Sequence, residues 1–346
     1  MRRVVVPVLL GLLALLAVPA VAAPDRPASG LQHGTYSAPG LPIRDYALYV
    51  PASVAAKPHT RVPLLVYLHG CNQTADDVAV GTRLEQLADE KGLLVLFPQQ
   101  TKAVNSSYPA ADGNGAQCWN WFLPDHQARG AGEPATIAGM TRDVMGRFAV
   151  DERRVWLAGA SAGADMTTIL GATYPDLYAA IAPIAGCAYR TCSDGDGTAA
   201  YAAMGPRHRV VPTFVVQATT DMVNNAAMGA TAVQQWVATD DLADDGQANG
   251  SVPQVPSSVT DHDAVQGTPP GDPCIGNSRL PCLGGVAGLA SYPYTVLEYG
   301  DAVTALVIHG ANHAYTGGDP RGTFVDPVGP DLAHAMYDFF AAHSSR

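Results

Sequence analysis

The chain has 346 residues, of which 47% are hydrophobic and only 15% charged. That is enough apolar material for one large α/β domain and too much for a disordered chain. Lys and Arg number 20 against 31 Asp and Glu, a formal charge of −11 with no basic run, which excludes nucleic acid and anionic membrane surfaces as natural partners.

Met1-Arg2-Arg3, the apolar run Val4–Val18 and the small-residue triplet Ala20-Val21-Ala22 read as a secretory signal peptide cleaved near Ala22. The run carries Pro7 and is shorter than the ~20 residues of a spanning helix. The mature protein is therefore expected to be secreted, extracellular or periplasmic, with no membrane association. Residues 23–43, rich in Pro, Gly, Ser and Ala, read as an extended lead-in. The rest, 44–346, is expected to form a single catalytic domain.

Short apolar runs then alternate with helical patterns. Strands are expected at 45–50, 64–69, 93–97, 155–158, 180–184, 213–218, 295–299 and 306–308. Helices are expected at 83–91 and 136–148, in a stretch holding 166–173, and at 331–342. Residues 101–134 look like loop with a dense aromatic patch, Cys118-Trp-Asn-Trp-Phe122. Residues 240–273 are acidic and full of Gly, Pro and Ser, and the stretch to 282 reads as a surface insertion. Strands alternating with helices predict an α/β fold, a mostly parallel central sheet with helices on both faces.

Six cysteines fall at 71, 118, 187, 192, 274 and 282. An even count in an exported chain points to disulfides, with 15 possible pairings. The expected set is Cys71–Cys118, Cys187–Cys192 and Cys274–Cys282, the last two pairs being close in the chain and flanked by loop residues. Nothing in their spacing suggests a metal site, and no cofactor is expected.

Gly159-Ala160-Ser161-Ala162-Gly163 follows a strand and opens a helix, the context a nucleophile elbow needs. A serine is inert at neutral pH without a base. In this fold the acid and the histidine follow the serine in chain order. Asp221 lies just past the strand 213–218, with Asp240, Asp241 and Asp319 as fallbacks. His313 lies in a loop after the strand ending near Ile308, with His309 as its competitor. An oxyanion hole is expected from the N–H groups of Ala162 and Cys71, the latter in the turn His69-Gly70-Cys71-Asn72-Gln73. Trp119 is expected to form an apolar substrate-binding wall, brought beside that turn by a Cys71–Cys118 bond.

Together, Leu68-His-Gly-Cys71-Asn-Gln73, Cys118-Trp-Asn-Trp-Phe122, Gly159-Ala-Ser-Ala-Gly163 and Asn312-His-Ala-Tyr-Thr-Gly-Gly318 resemble the secreted polyhydroxybutyrate depolymerase family of esterases. The tail 319–331 adds to the likeness, which covers roughly 45–341; feruloyl and acetylxylan esterases are similar to the same family. The resemblance implies an α/β-hydrolase fold and a Ser161, Asp221, His313 triad. It also implies oxyanion donors at Cys71 and Ala162 and a substrate contact at Trp119. After Ser161 the family often reads Ala-Gly-Gly-Ala-Met, and here the stretch is Ala162-Gly163-Ala164-Asp165-Met166; Asp165, about one turn past the nucleophile, is the charged departure. The expected activity is hydrolysis of poly- or oligo(3-hydroxybutyrate)-type polyesters through an acyl-enzyme. The alternatives are a feruloyl or acetylxylan esterase and a hydrolase of polymeric amides such as poly(aspartic acid), which the acidic charge of the chain argues against.

Overall fold

The computed structural model describes residues 27–102, 113–268 and 288–344. Its centre is a ten-stranded sheet. In chain order the strands are β1 (Gly30–Tyr36), β2 (Arg44–Val50), β3 (Val62–Leu68), β4 (Leu94–Pro98), β5 (Val150–Ala160), β6 (Ala180–Ile184), β7 (Thr213–Ala218), β8 (Ser258–His262), β9 (Tyr294–Tyr299) and β10 (Val303–Ile308). Their order across the sheet is β1-β2-β4-β3-β5-β6-β7-β10-β9-β8. The six central strands, β4 to β10 in that order, run parallel. Two antiparallel strands flank them at each edge.

The residue pattern explains the division. β3, β4, β6 and β7 are buried at every position, as strands covered on both faces must be, so they read as continuous apolar runs. One face is covered by α1 (Ala75–Gly81), α2 (Leu84–Lys91) and the later α7 (Leu332–Ala342). The other is covered by α3 (Gly132–Arg147), α4 (Ala162–Thr173), α5 (Thr198–Met204) and α6 (Ala226–Asp245). Side-chain caps start three of these helices. Thr74 accepts from the Asp77 N–H, Asn225 from Ala227 and Met228, and Asp331 from His334. No helix among the described residues is long and apolar enough to cross a membrane.

Two expected boundaries are corrected. The lead-in 23–43 contains a strand, β1, paired antiparallel with β2 from Gly30 opposite Val50 to Tyr36 opposite Arg44. An edge strand buries little, and the polar residues of β1 hide its pattern. The insertion expected at 240–282 begins later. α6 runs through Asp240 and Asp241 to Asp245 and stops at Gly246, whose φ of 84° suits a glycine cap. Residues 258–262 then form the outermost strand, pairing with β9. The Cys274–Cys282 pair lies outside the described residues. The other two expected disulfides, Cys71–Cys118 and Cys187–Cys192, are formed.

Candidate active site

β5 ends at Ala160, and α4 begins at Ala162. Ser161 between them has φ 56° and ψ −124°, a strained conformation for a residue with a side chain. Its N–H donates to Ile184 at 3.0 Å, and its carbonyl accepts from Ala164 and Asp165 at 2.8 and 3.1 Å. Glycine is required on both sides of it. A Cβ at Gly163 would lie 2.2 Å from the Leu68 carbonyl oxygen, and one at Gly159 would lie 2.5 Å from that of Gly163. The turn thus packs backbone directly against the end of β3.

Asp221 follows β7, and His313 follows β10, the neighbouring parallel strand. The imidazole Nδ1 stands 2.8 Å from Asp221 Oδ2. The other carboxylate oxygen accepts from the Val223 and Asn224 N–H groups, both at 2.8 Å. The two loops are stitched together. Thr220 Oγ1 donates to the Ala311 carbonyl at 2.5 Å, and Asn312 Oδ1 accepts from Met222 and His313 N–H groups at 3.3 and 2.8 Å. The Asp221 side chain is fully buried, and that of His313 is 14% exposed. Ser161 and His313 line one cavity of about 180 Å³, together with Gly70, Cys71, Tyr67, Phe324 and Val325.

The turn after β3 is anchored on every side. Gly70 N–H donates to Gln73 Oε1 at 2.9 Å, and Gln73 Nε2 donates to the Thr323 carbonyl at 2.8 Å. Asn72 N–H donates to the Ala116 carbonyl at 2.7 Å, next to the Cys71–Cys118 disulfide. The N–H groups of Cys71 and Ala162 make no hydrogen bond among the described residues. Cys71 lines the cavity, and Ala162 directly follows Ser161 at the start of α4.

Below this turn lies a buried polar network that sequence reasoning missed. His69 is fully buried, and burial lowers its pKa to about 4, so it is neutral at pH 7. Its Nε2 accepts from the Gln100 N–H at 3.0 Å, leaving Nδ1 to donate to the Gly70 carbonyl at 2.7 Å. Glu133, also fully buried, accepts from the Asn120 backbone and side chain at 2.7 and 2.9 Å and from Gln100 Nε2 at 2.5 Å. Burial by itself would raise the Glu133 pKa; hydrogen bonds from His126 and Gln100 and the Arg44 charge bring it below the usual range. These partners are far apart in the chain, and no local pattern announces them.

Trp119 is corrected. It is fully buried and does not line the cavity. Its Nε1–H donates to the His69 carbonyl at 3.0 Å. The disulfide does bring it beside the turn, but beneath it, where the indole supports the backbone instead of meeting substrate. The competitors of the other candidates also have local partners. His309 Nε2 is 2.8 Å from Thr295 Oγ1. Asp240 accepts from the Val211 N–H at 2.8 Å, and Asp241 from Gly250 and Val252, both at 3.1 Å. Asp319 pairs with Arg321 at 2.7 Å.

Comparison with known proteins places this arrangement. The family described as Esterase PHB depolymerase matches residues 44–252, more than half of the chain. The chain belongs to that family. It is 37% identical over 158 residues to poly(3-hydroxyalkanoate) depolymerase C of Paucimonas lemoignei, covering 46% of this chain and 34% of that protein. It is 33% identical over 158 residues to feruloyl esterase B of Neurospora crassa, covering 45% of this chain and 48% of that one. The chain thus spans less than half the length of either relative. Among solved structures, acetyl xylan esterase from Aspergillus awamori matches with a TM-score of 0.61 at 18% identity, over 90% of this chain and 99% of its own. The fold of this esterase-family chain is that of the α/β hydrolases.

Proposed function

We propose that this chain is a serine esterase that hydrolyses poly- or oligo(3-hydroxybutyrate)-type polyesters. The observation that carries the reading is the 2.8 Å pair between His313 and Asp221, with His313 and Ser161 lining one cavity. Asp221 holds Nδ1 protonated, so Nε2 is the basic nitrogen. Ser161 Oγ adds to the ester carbonyl carbon as Nε2 takes its proton. The N–H groups of Cys71 and Ala162 stabilise the oxyanion. Collapse breaks the ester bond, and the departing alcohol takes the proton from His313. Water then adds to the acyl-serine, again giving its proton to His313. The acid leaves, and Ser161 recovers its hydroxyl. The sum is ester plus water giving acid plus alcohol.

The two disulfides suit an oxidising compartment. With them we read residues 1–22 as a signal peptide that delivers the enzyme outside the cytoplasm, where a polymer too large to import would be met. The relatives named feruloyl and acetylxylan esterases support a second reading, in which the same chemistry acts on plant polysaccharide esters.

The test is acid release from an amorphous poly(3-hydroxybutyrate) suspension by the mature protein and by Ser161→Ala. Release by the first alone is expected. A folded protein that leaves the polymer intact but cleaves acetylated xylan or methyl ferulate would move the assignment to the second reading.

A further inference from the structure

The buried part of the cavity wall is formed by Tyr67, Val78, Gly81 and Thr82, with Tyr315 closing it from the His313 side. It is a largely apolar surface with four polar side chains in it, counting the buried Gln73, which accepts from the Gly70 N–H and donates to the Thr323 carbonyl. Thr82 Oγ1 is satisfied, donating to the Val78 carbonyl at 2.6 Å. The Tyr315 hydroxyl has no partner but is sealed among protein atoms. Tyr67 is different. It is 1% exposed and lines the cavity, and its hydroxyl makes no hydrogen bond among the described residues. Its ring is fixed edge-on against Phe97 and Tyr315, with centroids 6.4 and 6.2 Å away. A phenol held rigidly in an apolar wall without a partner is costly, and a ligand atom that pairs with it recovers that cost.

The leaving alcohol has to lie against His313, beside Val223, which is 64% exposed at the cavity mouth. The buried wall is then left to the acyl group. We infer that the Tyr67 hydroxyl hydrogen-bonds the 3-oxygen of the acyl unit, a free hydroxyl in a monomer or terminal unit and an ester oxygen within a polymer, which makes Tyr67 a specificity residue selecting 3-oxygenated acyl esters over plain alkanoyl esters. This rests on the ester-hydrolase reading above. A site with a buried polar group discriminates against the analogue that leaves it unpaired.

Two esters isolate the effect, methyl 3-hydroxybutyrate and methyl butyrate, which share chain length and leaving group. Their kcat/KM values are measured by acid release at constant pH. The wild type is expected to favour the hydroxyester by on the order of 10-fold, the factor for one neutral hydrogen bond. Tyr67→Phe, which removes only the hydroxyl, is expected to bring the ratio close to one. Tyr315→Phe, which removes the sealed hydroxyl, is expected to keep the wild-type ratio. A wild-type ratio near one overturns the inference without need of any variant. So does a preference that survives Tyr67→Phe, or one that Tyr315→Phe abolishes. If the wild type cleaves neither of these esters but releases acid from the polymer, acetylated xylan or methyl ferulate, this inference fails and the ester-hydrolase reading stands; cleavage of no ester at all fails both.

Discussion

Asp221→Asn separates a catalytic pair from a structural one. Asp221 Oδ1 accepts from two backbone N–H groups, and Oδ2 faces His313 Nδ1 at 2.8 Å. An asparagine must keep its carbonyl oxygen toward the two N–H groups, so its NH₂ turns toward the imidazole. Nδ1 then has to accept, and the ring proton moves to Nε2, where it blocks removal of the Ser161 proton. The loop keeps its backbone hydrogen bonds, and the fold should hold. The loss falls on kcat, about 10⁴-fold, as the equivalent change gives in chymotrypsin-like proteases. That corresponds to about 5.5 kcal/mol of lost transition-state stabilisation. KM should change little, because Asp221 does not line the cavity. The assay is the kcat for p-nitrophenyl butyrate at pH 7–8, with a thermal melt to show that the variant is folded. A folded variant within about 10-fold of wild type would refute the tautomer argument.

Three further outcomes follow from the same structure. Trp119→Phe removes the bond to the His69 carbonyl and should cost ~1–3 kcal/mol in denaturant unfolding while leaving KM for small esters unchanged, since the indole does not reach the cavity. A large KM rise would restore the substrate-wall reading. The Cys71–Cys118 bond spans 47 residues and Cys187–Cys192 spans 5; by loop entropy, paired Cys→Ser changes should cost about 4 and about 2 kcal/mol, and equal losses would count against that argument. Asp165 is buried, and burial raises its pKa to about 7 from 3.8. With the folded value above the unfolded one, its carboxyl favours folding in acid and loses that contribution as pH rises from about 4 to 7. Asp165→Asn, which can still accept from the Cys187 N–H, should therefore stabilise the protein by ~2–4 kcal/mol at pH 8 and little at pH 4. Destabilisation at pH 8 would show that the carboxylate is paired there.

What could be read from the sequence was local. The elbow around Ser161 is five consecutive residues whose small side chains answer one steric demand, and Asp221 and His313 each sit just past a buried strand. Cys71 and Ala162 follow from the same turns. Trp119 was misplaced because a loop tryptophan beside a cysteine looks the same above the turn as beneath it; only the bond to the His69 carbonyl tells the two apart. Edge strand β1 is half-exposed and β8 almost wholly exposed, both rich in polar residues, and they leave a weak pattern. α6 is not among the expected helices, and its last turn reads as insertion because Asp240 and Asp241 look like surface residues, yet they are buried against amides of Val211, Gly250 and Val252. Tyr67 is one more apolar residue in an apolar strand until the cavity beside it is seen.

The proposed mechanism requires Ser161 alone to be the activated nucleophile. The most direct measurement is peptide mapping of the protein after inactivation with diisopropyl fluorophosphate. A single phosphoryl adduct is expected, on Ser161, forming in step with loss of ester hydrolysis and absent after His313→Ala. An adduct on another residue, or an active enzyme with Ser161 fully modified, would contradict it.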